Sequence, residues 1–311
     1  MNSEMERNLG IHHITAIASD PVENLGFYVR FLGLRLVKKT VNFDDPTSYH
    51  LYFGDETGRP GTIMTFFLWP GARRGRIGKG QVSAIGFAVP EGSLEFWRHR
   101  AQDHGQRVEP IEDRLGDTGL ALRDPDGLQI ELVESGPGGP ARADVPGEAA
   151  IGGFFSAALS LGDIEPTREL VQMVMGFEPV SDDGNRFRLQ AASGTGRFVD
   201  LVKSSEPWGQ SGAGTNHHIA FRASDDVDQI AWRKLLLSKG FDVTTVRDRT
   251  YFNSIYFREP GGVLFEIATD TPGFPVDEPV ATLGEDLKLP AWLEKSRGAI
   301  EAALPSLVGT K

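Results

Sequence analysis

The sequence predicts an α+β fold of four βαβββ modules in two domains, on three observations. A strand-helix-strand-strand-strand pattern recurs four times, a Gly/Pro-rich stretch separates the copies two and two, and the first and fourth copies carry the same His-His-Ile run. Repeats come first because each unit must bury its apolar face against a neighbour.

The first module has a strand over residues 12–18, a helix start at Asp20-Pro21 and an amphipathic run to Leu34, then strands near 35–41, 49–53 and 61–67. The turn-forming stretch 54–60 joins the last two. The second opens at Val82-Ser83-Ala84-Ile85-Gly86-Phe87, has a helix around 94–104 that stops at Gly105, and closes over 123–132. Residues 135–148 are too rich in Gly and Pro for regular structure and read as a linker. The third module opens over 154–159 and closes over 197–202. The fourth opens at Asn216-His217-His218-Ile219-Ala220-Phe221, has a helix near 227–239 ending at Gly240, and closes over 262–267. Domains of 8–134 and 149–270 follow, with the linker between them. A tail over 271–311 begins extended at its prolines and ends in a short amphipathic helix near 292–304, expected to pack on a domain or on a second subunit.

Composition sets the limits on function. With 311 residues, 40% hydrophobic and 24% charged, the chain has the balance of a soluble globular protein. A net charge of -11 and a pI near 5.2 argue against nucleic acid or an anionic membrane as partner, because the average surface would repel either. The basic cluster Arg73-Arg74-Gly75-Arg76 is too short to reverse that and reads as a solvated or subunit-facing loop. The absence of cysteine excludes disulfides, thiolate metal sites and cysteine nucleophiles. Residues 1–7 are polar and charged, without the apolar run of a leader, and no stretch approaches the ~20 apolar residues of a membrane helix. A cytoplasmic location is the default expectation.

Copies two and four align without a gap at their last strands. Glu131 then matches Glu266, and Ala84 falls where the fourth copy has His218. In the third copy Phe155 or Ser156 falls where the first has a histidine. The fold therefore has room for two equivalent sites, one of which keeps its ligands.

Two imidazoles and a carboxylate on three strands suit a metal ion that keeps coordination positions open for substrate and O2. Without thiolates, iron or manganese is favoured over structural zinc, although two His, one Glu and a water also suit catalytic zinc. Neighbouring strand residues point to opposite faces, so each His-His pair supplies at most one ligand. The second members, His13 and His218, are chosen because His13 shares the parity of Thr15. Buried, hydrogen-bonded histidines are the competing reading. His12 and His217 are candidates for groups behind the ligands or for acid/base catalysts. Arg249 and Tyr256 stand where they would reach a phenolic or anionic substrate, against a surface ion pair of Arg249 with Asp248 or Asp242. His50 reads as structural.

Paired βαβββ modules with a His on the first strand and a Glu on the last resemble the vicinal oxygen chelate superfamily, which includes glyoxalases, extradiol dioxygenases and antibiotic-resistance proteins. More closely, Gly10-Ile-His-His-Ile-Thr15, the run from Tyr49 to Gly61, Tyr256 through Glu266, and Leu283-Gly-Glu-Asp-Leu-Lys288 resemble hydroquinone ring-cleaving dioxygenases over nearly the whole chain. The resemblance implies mixed sheets curled into open barrels around a metal site. It implies Fe(II) on His13, His218 and Glu266, with O2 as co-substrate and a small aromatic substrate lined by His12, Thr15, His217, Arg249 and Tyr256. Ring opening next to a hydroxyl-bearing carbon is the implied reaction, with His217 as candidate proton donor and Arg249 and Tyr256 orienting the ring. A glyoxalase-like metal-dependent isomerase or lyase, whose sites usually draw on two carboxylates, and a metal-free aromatic-binding protein are the rival expectations.

Overall fold

The computed structural model describes residues 10–111, 114–142 and 144–307. The polar segment 1–7 and the first domain's expected start at residue 8 lie outside the described residues.

Module one comprises β1 (Ile11–Ala18), helix α1 (Pro21–Leu25), which continues as a π-helical turn over Gly26–Phe31, β2 (Arg35–Asn42), β3 (Asp45–Gly54) and β4 (Ile63–Leu68). Asp20 caps α1 by accepting from the amides of Val22 and Glu23, and Pro21 supplies a fixed φ at the first helical position. Module two comprises β5 (Gln81–Val89), α2 (Leu94–Asp103), β6 (Val108–Pro110), β7 (Gly119–Arg123) and β8 (Gln129–Glu134). Module three comprises β9 (Gly153–Leu161), α3 (Glu165–Glu169) with a π-helical extension over Leu170–Val174, β10 (Glu178–Asp182), β11 (Arg186–Gln190) and β12 (Phe198–Lys203). Module four comprises β13 (Thr215–Ala223), α4 (Asp226–Ser238), β14 (Arg247–Asp248), β15 (Phe252–Arg258) and β16 (Leu264–Pro272).

These strands form two eight-stranded mixed sheets, ordered β14-β15-β16-β13-β1-β4-β3-β2 and β10-β11-β12-β9-β5-β8-β7-β6. Module one is thus joined to module four by the antiparallel pair β1–β13, and module two to module three by β5–β9. Each sheet takes one module from either side of residues 135–148. The modules' parallel pairs, β1–β4 and β13–β16, flank the β1–β13 seam and place first and last strands of a module side by side.

β1 is buried along its whole length, between β13 and β4 at the centre of the sheet. On one face of the first sheet, α4 packs against β13, β15 and β16 through Trp232 and Leu236, and each such side chain contributes roughly 1.5–3 kcal/mol of apolar burial. Gln229 on the same helix donates to the carbonyls of Asn253 and Ile267 and ties two strands together. The opposite face is left for the site.

Glycines with positive φ precede both His-His strands, Gly10 (φ 92) and Gly214 (φ 80). A Cβ on Gly214 would stand 2.2 Å from the carbonyl oxygen of Asp126, so a side chain there is barred by backbone. The closing segment 123–132 of module two is interrupted at Asp124, whose carboxylate accepts from the amides of Asp126 and Leu128 and makes the β7–β8 turn. Glu259 does the same for Gly261 and Val263 before β16.

The described part of the tail folds back on module one. Lys38, fully buried on β2, places Nζ 2.6 Å from Asp277 and 2.7 Å from Glu278. Phe274 and Leu283 are buried, and Leu287 bridges Lys39. Helix α5 is Arg297–Ala303, shorter than the sequence predicts because a 3-10 turn at Glu294–Ser296 precedes it. Among the described residues no helix is long and apolar enough to cross a membrane.

Candidate active site

Three ligand-type atoms converge on the open face of the first sheet, across the β1–β13 seam. Nε2 of His13 lies 3.2 Å from Nε2 of His218 and 3.4 Å from Oε2 of Glu266, and the His218–Glu266 distance is 3.0 Å. Ligands ~2.1 Å from a metal and ~90° apart stand about 3 Å from one another, so the triangle has the size of one face of a coordination octahedron. All three residues are buried. Oε2 of Glu266 has no hydrogen-bond donor aimed at it although two imidazole nitrogens are in range, while Oε1 accepts from Ser254 Oγ. A buried carboxylate oxygen left without a donor costs about 1–3 kcal/mol, a cost that a cation at the centre of the triangle would offset. The residues therefore fit a divalent ion. Burial alone would raise the Glu266 carboxyl, but the His13 and His218 imidazoles outweigh it and hold the group well below the usual carboxylate range.

The tautomers follow from the neighbours. His12 Nε2 lies 3.1 Å from the carbonyl oxygen of Thr269, which can only accept, so that nitrogen carries the proton. Nδ1 of His12 is then an acceptor, and Nδ1 of His13, 2.9 Å away, must donate to it. The His13 Nε2 lone pair is thereby left facing the triangle. Burial, then the adjacent His13, push the His12 pKa well below its ordinary value, so His12 is neutral. The second pair repeats the contact, with Nδ1 of His217 and His218 2.8 Å apart.

The triangle opens into a cavity of about 300 Å³. Phe67, Trp69, Phe252 and Tyr52 give it aromatic walls, and His50, Arg249 and Tyr256 stand among them as polar groups. Arg249 lies over the Tyr256 ring at 5.6 Å, donates from Nε to the phenolic oxygen at 3.3 Å, and has Nη1 3.5 Å from Asp44. Its ion-pair partner is thus Asp44, in place of Asp248 or Asp242. Burial and the Glu266 charge raise the Tyr256 phenol, which keeps its proton. His217 is exposed as a residue, but its ring is edge-on to Phe67 at 5.4 Å; burial of that ring, then His218, lowers its pKa.

A model of the "Glyoxalase/Bleomycin resistance protein/Dioxygenase superfamily" matches residues 10–132 and 153–267. The chain belongs to that superfamily. It is 48% identical to "Putative ring-cleaving dioxygenase MhqO" of Bacillus subtilis over 302 residues, covering 96% of each chain. It is 34% identical to the "Chlorohydroquinone/hydroquinone 1,2-dioxygenase" of Sphingobium indicum, covering 93% of this chain and 94% of the other. A crystal structure from Bacillus subtilis described as "putative dioxygenase" superposes with a TM-score of 0.94 at 48% identity, covering 96% and 97% of the two chains. Glyoxalase I from Zea mays, at 15% identity and a TM-score of 0.61, covering 84% of this chain and 92% of that one, shares the fold.

Within this superfamily member, His13, His218 and Glu266 meet, and His217, Arg249 and Tyr256 line the cavity in front of them. His12 and Thr15 do not line it. His12 sits behind His13, and Thr15 Oγ1 lies 3.2 Å from Thr65 Oγ1. That contact continues through His50 Nε2 (2.6 Å from Thr65 Oγ1) to Tyr52 Oη (2.9 Å from His50 Nδ1). Thr15 therefore reaches the cavity through His50, a residue that reads as structural from the sequence alone. Strand parity holds the signal, since His50 and Tyr52 share one face of β3, as Thr65 and Phe67 share one face of β4. Asn253 and Glu259 lie outside the cavity; Asn253 donates to Asp226.

The second sheet carries the degenerate counterpart. Ser156 stands opposite Gly86 as His13 stands opposite Ala220, and Ala84 stands where His218 would be. Glu131 remains, but Arg114 meets it through two hydrogen bonds of 2.7 Å. A fixed guanidinium takes the place a cation would fill, and no metal-ligating triad forms there among the described residues.

Proposed function

We propose that the protein is an Fe(II)-dependent dioxygenase that opens the ring of a hydroquinone or related dihydroxy aromatic compound with O2. One observation carries the reading: a His-His-Glu triangle with coordination-face dimensions opens directly into an aromatic-walled cavity large enough for a single substituted ring. The names of the relatives point the same way. A triangle with one carboxylate and no cysteine suits ferrous iron, and it sets the site apart from isomerase centres built on two carboxylates.

His13, His218 and Glu266 would hold the ion, which when bound acidifies a phenolic hydroxyl and supplies electrons toward O2. The chain's own groups do the rest. Phe67, Trp69 and Phe252 take the ring faces and exclude water. Arg249 and Tyr256, locked to each other, present a cation and a phenolic hydroxyl to the substrate's oxygens. His217, at the cavity wall and open to solvent, is placed to pass a proton between substrate and water.

The test is oxygen uptake by protein loaded anaerobically with Fe(II) and then given hydroquinones, catechols and O2. Stoichiometric uptake with a ring-opened product is expected with a hydroquinone. No uptake with any of these compounds would overturn the reading.

A further inference from the structure

A second cavity, of about 240 Å³, reaches the same centre from another side. It shares His217, His218 and Leu264 with the aromatic cavity, and those three side chains are the partition between the two. Its character is different. The wall is formed mainly by polar side chains and loop backbone, with Lys79, Gln81, Ser211 and Arg258 facing it and no aspartate or glutamate.

The cations are held in place and unpaired by acid. The Lys79 stem passes Gly162, where a Cβ would stand 3.1 Å from Lys79 Cδ, and its Nζ lies 6.0 Å over the Trp208 ring. Arg258 spends one nitrogen on the carbonyl of Gly262 at 2.8 Å. Among the described residues neither cation is in an ion pair, in a chain whose net charge is -11. Trp208 itself lies against Gly80 and Gly262, where a Cβ would come within 2.7 Å and 2.9 Å of the indole. The loop carrying it is pinned by the Lys79–Trp208 and Arg76–Gln210 bridges. The cavity is therefore a half-open cleft: Lys79 is half-buried and Arg258 exposed at its rim, and both cations stand free of acid beside the His217–His218 wall.

We propose that this polar cavity binds a small carboxylate, through Lys79 and Arg258, beside the metal centre and across the His217 partition from the aromatic cavity. Ring opening would make such a group beside the metal centre, on the other side of that partition. Breaking the ring bond beside a hydroxyl-bearing carbon, with both atoms of O2 retained, turns that carbon into a carboxylate and its neighbour into an aldehyde and releases one proton. That source rests on the ring-cleaving reading; the binding itself does not.

Sorbate, an unreactive six-carbon dienoate, is the probe, titrated calorimetrically into the full chain in the absence of O2. Saturable binding is expected, weakened about tenfold or more by Lys79→Ala and by Arg258→Ala and left within about twofold by Arg249→Met. Quenching of Trp208 emission by sorbate, absent in Trp208→Phe, places the ligand in this cavity. Absence of binding at millimolar sorbate, or binding that depends on Arg249 and ignores Lys79 and Arg258, would overturn the proposal. Because no turnover is involved, a protein that binds sorbate as expected yet takes up no O2 would keep the subsite and lose only the ring-cleaving reading. Product inhibition relieved by Lys79→Ala, set against a raised KM for 2,5-dihydroxybenzoate in the same variant, distinguishes a product carboxylate from one carried by the substrate.

Discussion

His12 donates Nε2–H to the carbonyl of Thr269, and that single contact decides which nitrogen of His13 carries the proton and leaves the lone pair of Nε2 facing the metal triangle. Replacing His12 with Phe keeps the packing against Phe252 but removes the acceptor for His13 Nδ1. The His13 proton is then free to sit on Nε2, where it blocks ligation. Metal affinity is expected to fall about 10- to 100-fold, read by Co(II) absorbance titration, while the thermal melt of the metal-free protein changes little.

Glu266→Gln removes the triangle's only negative charge and leaves its shape. Iron content after anaerobic loading is expected to drop from about one per chain to below about a tenth, with an unchanged far-UV spectrum. Iron retained at full stoichiometry would mean that the carboxylate is not a ligand.

Asp124 gives the chain a pH signature distant from the metal. Burial, the largest cause, lifts its carboxyl from 3.8 to about 6. Between those two values the folded protein holds a proton that the unfolded chain has released, so stability falls as pH rises through that window and levels off above it. The contribution is roughly 3 kcal/mol at most. Urea unfolding from pH 4.5 to 7.5 is expected to show this slope in the parent and a flatter profile in Asp124→Asn.

Lys38→Met strands Glu278, which is itself buried and also accepts from the amides of Gly284 and Asp286. Losing one partner of a buried ion pair costs about 3–5 kcal/mol, discounted here because Asp277 is partly exposed. The variant is expected to unfold at lower urea and to be nicked by protease between residues 277 and 287 before the rest of the chain.

The ligands were legible because histidine and glutamate are costly inside apolar strands unless a binding partner meets them there, and because the repeat supplied a register in which Ala84 and Ser156 marked the lost counterpart. Arg249 and Tyr256 were legible from their place on the strand before Glu266 as well as from the resemblance, and both stand on the cavity wall. His12 was harder. Its parity turns it from the cavity, and its effect passes through a proton on a neighbouring ring, which spacing does not reveal. His50, Tyr52, Phe67 and Trp69 were missed as a lining because aromatic residues in strands are far more often core. Arg114 on Glu131 and Asp44 on Arg249 were invisible for a simpler reason: each ion pair is made between segments whose proximity only the folded sheets establish.

The order of strand pairing also allows an order of assembly. The second sheet uses modules two and three, which leave the ribosome consecutively, whereas the first sheet needs module one to wait for module four. Like nested brackets, the inner pair can close while the outer one is still open. A chain halted before residue 215 holds one ligand, His13, on an unpaired strand edge, so metal capture reports that synthesis has passed β16.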